Sequence, residues 1–126
     1  MKKIISLVAF IFLICGCSCN KDVYKFDSFT IEVAGEITNY TCSKKEKEDE
    51  TVKSMCEGFE GMKITFKDDD TLKIDFPNFN INEEEEYKIE NGYLFLKDEG
   101  VWEQFATYSK DKIVISYNYA TVTLKK

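Results

Sequence analysis

The stretch MKITFKDDDTLKIDF, Met62 to Phe76, places apolar and polar residues in strict alternation, pauses at three aspartates, and resumes with the same period. Successive side chains of an extended chain point to opposite faces, so Met62, Ile64 and Phe66 share one face, as do Leu72, Ile74 and Phe76. The pattern predicts a hairpin with one buried face. A second hairpin follows in YKIENGYLFL, whose Asn91-Gly92 pair suits the positive φ angles of a type I′ turn. Alternation also marks SFTIEVAGEITNYT, with a bend at Gly35, and the segments Val101 to Tyr108, Lys112 to Asn118 and Ala120 to Lys125. Short strands with frequent turns predict a mainly β fold, a small antiparallel barrel or sandwich of about eight strands.

One interval breaks the period. CSKKEKEDETVKSMCEGFEG, Cys42 to Gly61, is rich in Lys and Glu, and Val52, Met55 and Phe59 recur as one helical stripe. It predicts one short helix that ends near Gly58, packed as a connection or as a lid on a barrel mouth. Cys42 and Cys56 bracket it. A continuous helix between them would hold the ends about 21 Å apart, whereas a disulfide needs Cα atoms within about 7 Å. A helix starting near Glu48, with the charged stretch looping back, permits a Cys42 to Cys56 bond, which export would favour.

The N-terminus supplies the case for export. Met1-Lys2-Lys3 is a basic start, and Ile4 to Ile14 is apolar except for Ser6. That is the length of a signal-peptide core and short of the roughly 20 residues that span a bilayer. FLICGCSCN then offers three cysteines. The tripeptide Ile14-Cys15-Gly16 before Cys17 resembles the lipobox of bacterial lipoproteins: an aliphatic residue, a tolerated residue, a small residue, then the cysteine that is lipidated. Cys15 and Cys19 fit that register less well, because Ile14 is bulky for the small position and Gly16 is not aliphatic. The resemblance implies cleavage after Gly16, a diacylglyceryl thioether and an N-acyl chain on Cys17, and attachment to a membrane face. Ser18 resembles a context for outer-membrane sorting where the organism has such a membrane; otherwise the outer face of the plasma membrane is expected. The expected organisation is a signal peptide over residues 1–16, a tether over 17–28 and a β domain over 29–126.

Composition narrows the chemistry. The 126-residue chain carries 17 basic and 23 acidic residues, a net charge of -6, and removal of Lys2 and Lys3 with the signal makes it more acidic. Such a surface repels phosphates, so nucleic acid is not an expected partner. The basic residues are all lysine, which removes bidentate guanidinium clamps and imidazole chemistry together. Asp68, Asp69 and Asp70 lack the spacing of a calcium loop and read as a solvated turn, and Glu83 to Glu86 read as a surface charge run. No carboxylate pair stands out for glycosidic chemistry, and no activated thiolate is legible around Cys19. The expectation is a non-enzymatic protein without a metal or a cofactor beyond the covalent lipid.

The order FKDDDTL, YKIENGYLFL, DKIVI and TVTLKK resembles the lipocalin-like small bacterial lipoproteins over roughly residues 35–126. That resemblance implies a barrel enclosing a small apolar ligand, with Phe66 and Phe95 as inward-facing candidates. Tyr40-Thr41-Cys42 is similar to the early Tyr-x-Cys of membrane-bound lysozyme inhibitors, which implies instead a macromolecule-binding or enzyme-inhibitor lipoprotein with lysozyme as its target; an envelope protein is the other macromolecular partner to expect.

Overall fold

The computed structural model describes residues 22–126. The signal segment and the lipidation residue Cys17 lie outside the described residues.

The described chain is an antiparallel β-barrel with one helix. In chain order it runs β1 (Val23–Val33), β2 (Glu36–Tyr40), a 3-10 turn, α1 (Glu50–Phe59), β3 (Lys63–Phe66), β4 (Thr71–Phe76), a second 3-10 turn, β5 (Ile81–Glu90), β6 (Tyr93–Asp98), β7 (Val101–Tyr108), β8 (Lys112–Tyr117) and β9 (Ala120–Lys125). Each strand from β3 to β8 pairs with the next, and β1 pairs with both β3 and β9, closing eight strands into a barrel. β2 is the extra strand: it folds back on the outer half of β1, with Phe29 opposite Tyr40 and Val33 opposite Glu36.

The predicted hairpins form as read. Ile64 lies opposite Ile74 and Phe66 opposite Leu72, so the apolar face of each strand meets its neighbour's across the ladder. In β4 the alternation is complete, with Leu72, Ile74 and Phe76 buried between partly exposed Thr71, Lys73 and Asp75. Asn91 and Gly92 both take positive φ, 53° and 83°, as a type I′ turn requires.

The first strand corrects the expected boundary of the domain. It starts at Val23, so Val23 to Ser28, read as tether, belong to the barrel wall. The reason is a bulge: Phe26 lies opposite Leu124, while Ser28 lies opposite Thr123, leaving Asp27 as the extra residue. Tyr24 and Phe26 fall on the inward face before it, and Phe29 and Ile31 after it. Parity changes from even to odd at the bulge, which hides the strand from a period-two reading.

The charged interval resolves as expected. Asp49 caps α1, its carboxylate accepting from the backbone N–H of Thr51 at 2.9 Å and Val52 at 3.2 Å. The preceding segment turns back, bringing Cys42 and Cys56 into a disulfide with Cα atoms 5.8 Å apart. Val52 and Cys56 are buried, and Met55 and Phe59 pack on the same core.

The interior of the barrel is filled by the protein itself. Tyr24, Phe29, Met62, Ile64, Leu72, Leu94, Ile113, Val122 and Leu124 are all essentially inaccessible to solvent. They come from six different strands and the α1–β3 link, so the packing runs around the whole wall.

Candidate interaction rim

The two ends of the barrel differ in construction. At the base, where the described chain begins, the Phe66 N–H donates to the Asp22 carbonyl and Lys126 pairs with Asp22 at 3.2 Å. Aromatic side chains close this end from within. Phe66 sits edge-on to Tyr24, Tyr87 and Tyr108, with centroids 4.9 to 6.0 Å away. The Tyr24 hydroxyl donates to the Lys110 carbonyl at 2.8 Å and lies 3.3 Å from the Tyr108 hydroxyl, from which it can accept. Burial, followed by that contact with Tyr108, pushes the Tyr24 phenol well above its usual range. Phe66 is thus an inward residue, as expected, but it belongs to a closed aromatic plug.

Phe95 is on the other side of the wall. Register pairs Leu94 with Ile89 and Leu96 with Tyr87, and Leu94 is fully buried. Phe95 therefore faces outward, where the Lys88 ammonium lies 5.5 Å from its ring and 4.9 Å from that of Trp102. In YLFL both faces are apolar, so alternation alone could not say which face is buried.

At the opposite end, α1 lies across the mouth. Phe59 is the centre of an aromatic group: Phe29 is 5.0 Å away, Tyr117 stacks at 6.2 Å and Phe79 lies at 6.3 Å. The Asn78 side chain donates to the carbonyls of Glu57 at 2.6 Å and Glu60 at 3.0 Å, tying the end of α1 to the β4–β5 link. Burial raises the Tyr117 phenol above its usual range.

Around this end the rim exposes apolar side chains. Val33 and Ile37, on the β1–β2 hairpin, are 65% and 67% exposed; Tyr119, in the β8–β9 turn, is 63% exposed and Val101, at the start of β7, is 58% exposed. Phe79 and Tyr117 are partly open beside them. The inner side of the β1–β2 hairpin forms an open cleft of about 410 Å³ lined by Ile31, Val33, Ala34, Glu36, Thr38 and Tyr40.

The acidic runs separate into two kinds. Asp68 is a turn device: its carboxylate accepts from the N–H of Thr71 at 2.9 Å and of Asp70 at 3.2 Å, and these bonds, the Asp70 N–H first, hold it below the usual carboxylate range. The run Glu83 to Glu86 is divided by the pleat of β5. Glu83 lies opposite Ile74 and Glu85 opposite Leu72, on the inward face, while Glu84 and Glu86 face outward. Outside, Glu84 pairs with Lys67 at 2.8 Å and Glu86 with Lys97 at 3.8 Å. Inside, Glu85 is raised above its usual range by burial first, then by its hydrogen bond to Glu83 and the charges of Glu83 and Asp98. Glu83, Glu84 and Glu86 are exposed, as a surface charge run is expected to be, and the pleat turns Glu83 and the half-buried Glu85 to the inward face. Counting back by twos from Ile89 and Tyr87 was the signal for it.

Among the described residues no three Asp, Glu, Cys or His side chains are grouped to hold a metal ion. The chain matches no protein-family model, no curated protein and no solved structure.

Proposed function

We propose that this chain is an exported bacterial lipoprotein, anchored through lipid on Cys17, whose non-catalytic barrel engages another macromolecule outside the cytoplasm through the rim opposite its tether. The observation that carries this reading is the gathering of exposed Val33, Ile37, Val101 and Tyr119 at one end. Single exposed apolar residues are ordinary, but several around one rim suit an interaction surface.

The position of the anchor supports the same reading. Five residues lie between Cys17 and Val23, and the six extended steps from one to the other span about 20 Å. A lipid on Cys17 would hold the base near the membrane and turn the rim away from it. Two or more acyl chains anchor stably, since each buried methylene contributes about 0.8 kcal/mol.

The expectation of a small apolar ligand inside the barrel finds less support. Phe66 and its tyrosine partners occupy one end, and the fully buried aliphatic residues occupy the middle. An envelope protein contacting the rim needs no interior space.

The reading is tested by placing a photo-crosslinking amino acid at Tyr119 on the rim or at Lys110 at the base, in the lipid-anchored chain in intact cells. A discrete protein adduct from position 119 and none from 110 is expected. The same adducts from both positions, or none from 119, would contradict it.

A further inference from the structure

The barrel wall is not zipped along its full height. β7 and β8 pair through just two residue pairs, Thr107 with Val114 and Tyr108 with Ile113. Beyond them, toward the rim, Val101 to Gln104 of β7 pair with β6 alone, and Ile115 to Tyr117 of β8 pair with β9 alone. Two strand edges at the rim end of the seam thus have no ladder partner across it.

Charge is sorted across this part of the wall. The register of β5, β6 and β7 puts Glu83, Glu85, Asp98 and Glu103 on the inward face, in line with buried Leu72 and Ile74. The neighbouring lysines face outward: Lys88 and Lys97 lie over the Trp102 ring at 4.9 and 5.6 Å. Among the described residues, none of the four inward carboxylates has a lysine ion pair, whereas outward Glu84 and Glu86 each have one. Apolar contact is available beside the acids from Val101 and Tyr117, which are 58% and 37% exposed.

We propose that the open β7–β8 seam is a docking slot for an extended, basic segment of another protein, which adds as a strand along β7 with lysine or arginine side chains facing Glu103 and Glu85. This rests on the macromolecular reading above and names the chemistry of the partner. Free strand edges invite backbone pairing with any chain, and inward-pointing charges are a usual guard against it. Here the guard selects by sign. A second copy of this acidic chain would bring carboxylates against carboxylates, whereas a cationic strand neutralises charges that have no partner within the barrel. Side chains of an added strand alternate in direction, so basic residues two apart face the acids and the intervening residues face the Trp102 side.

The test titrates the full lipid-anchored chain, in neutral detergent, with the capped peptide Lys-Val-Lys-Val-Lys-Val, following the fluorescence of Trp102, the single tryptophan. The block peptide Lys-Lys-Lys-Val-Val-Val, of equal charge, and the Glu-Val repeat serve as comparisons. The alternating basic peptide is expected to bind at least tenfold more tightly than either, and the Glu85→Gln/Glu103→Gln double variant to lose at least tenfold in affinity. Asp69→Asn, at the base, is expected to change nothing. Amide exchange should slow across Val101 to Phe105 when the peptide is bound, a readout that does not depend on the variants. Equal affinity for both basic peptides, equal loss in Asp69→Asn, or unchanged exchange in β7 would overturn the slot. An absence of peptide binding together with rim crosslinks from position 119 would overturn the basic-strand chemistry and leave the rim reading standing; an absence of both would overturn the two together.

Discussion

Glu85 and its neighbour Glu84 show how much a single step along a strand decides. Glu84 points out and is neutralised by Lys67; Glu85 points in, is partly buried, and shares its hydrogen bond with another acid. A carboxyl whose folded pKa lies above its unfolded value binds its proton more readily when folded. Its contribution to stability therefore falls as pH rises through the window between the two values. At neutral pH Glu85 is a liability. Glu85→Gln should raise Tm at pH 7, with the gain shrinking as pH falls toward the ordinary carboxylate range. A variant less stable than the parent at pH 7 would contradict the inward placement. Asp49 makes a contribution of opposite sign: as the cap of α1 it satisfies two backbone N–H groups, and Asp49→Ala should cost about 1 kcal/mol in denaturant melts.

The elements that were legible in the sequence are those whose alternation runs unbroken. β4 and β9 keep one parity from end to end, and each has three buried positions. β1 and β7 each carry a bulge, at Asp27 and at Phe105, and a bulge moves the inward face from one parity to the other. This is why the N-terminal half of β1 read as tether. The shift in β7 likewise separates inward Glu103 from inward Ala106. The helix and its disulfide were legible for a different reason, since geometry admitted both cysteines only if the charged stretch turned back. Closing that loop should stabilise the fold by about 3 kcal/mol; a Cys42→Ser/Cys56→Ser variant is expected to lose that amount in urea unfolding, with α1 the first element to lose amide protection. Ala34 holds a positive φ of 51° in the β1–β2 turn, a conformation that asparagine tolerates better. Ala34→Asn should therefore stabilise the hairpin by up to about 1 kcal/mol, read as a higher Tm.

The molecule as a whole has two unlike ends. The base is sealed by Tyr24, Phe66, Tyr87 and Tyr108 and lies next to the start of the described chain, while the helix-covered rim carries the exposed apolar residues and the inward acids. None of this could be read before the topology was known, because Val33, Val101 and Tyr119 are far apart in sequence and reach the same end only through the up-and-down course of the strands. Lipid attachment at Cys17 predicts that Cys17→Ser releases the protein into the soluble fraction, with the parent's N-terminal peptide carrying acyl mass by mass spectrometry. A barrel filled by its own side chains has no room for a carried ligand, and native mass spectrometry of the soluble Cys17→Ser variant, purified without detergent, reads this out. The bare mass of the chain is expected. Retention of a lipid-sized molecule, lost when Phe66 is replaced by a polar residue, would contradict it and return the small-ligand carrier to first place.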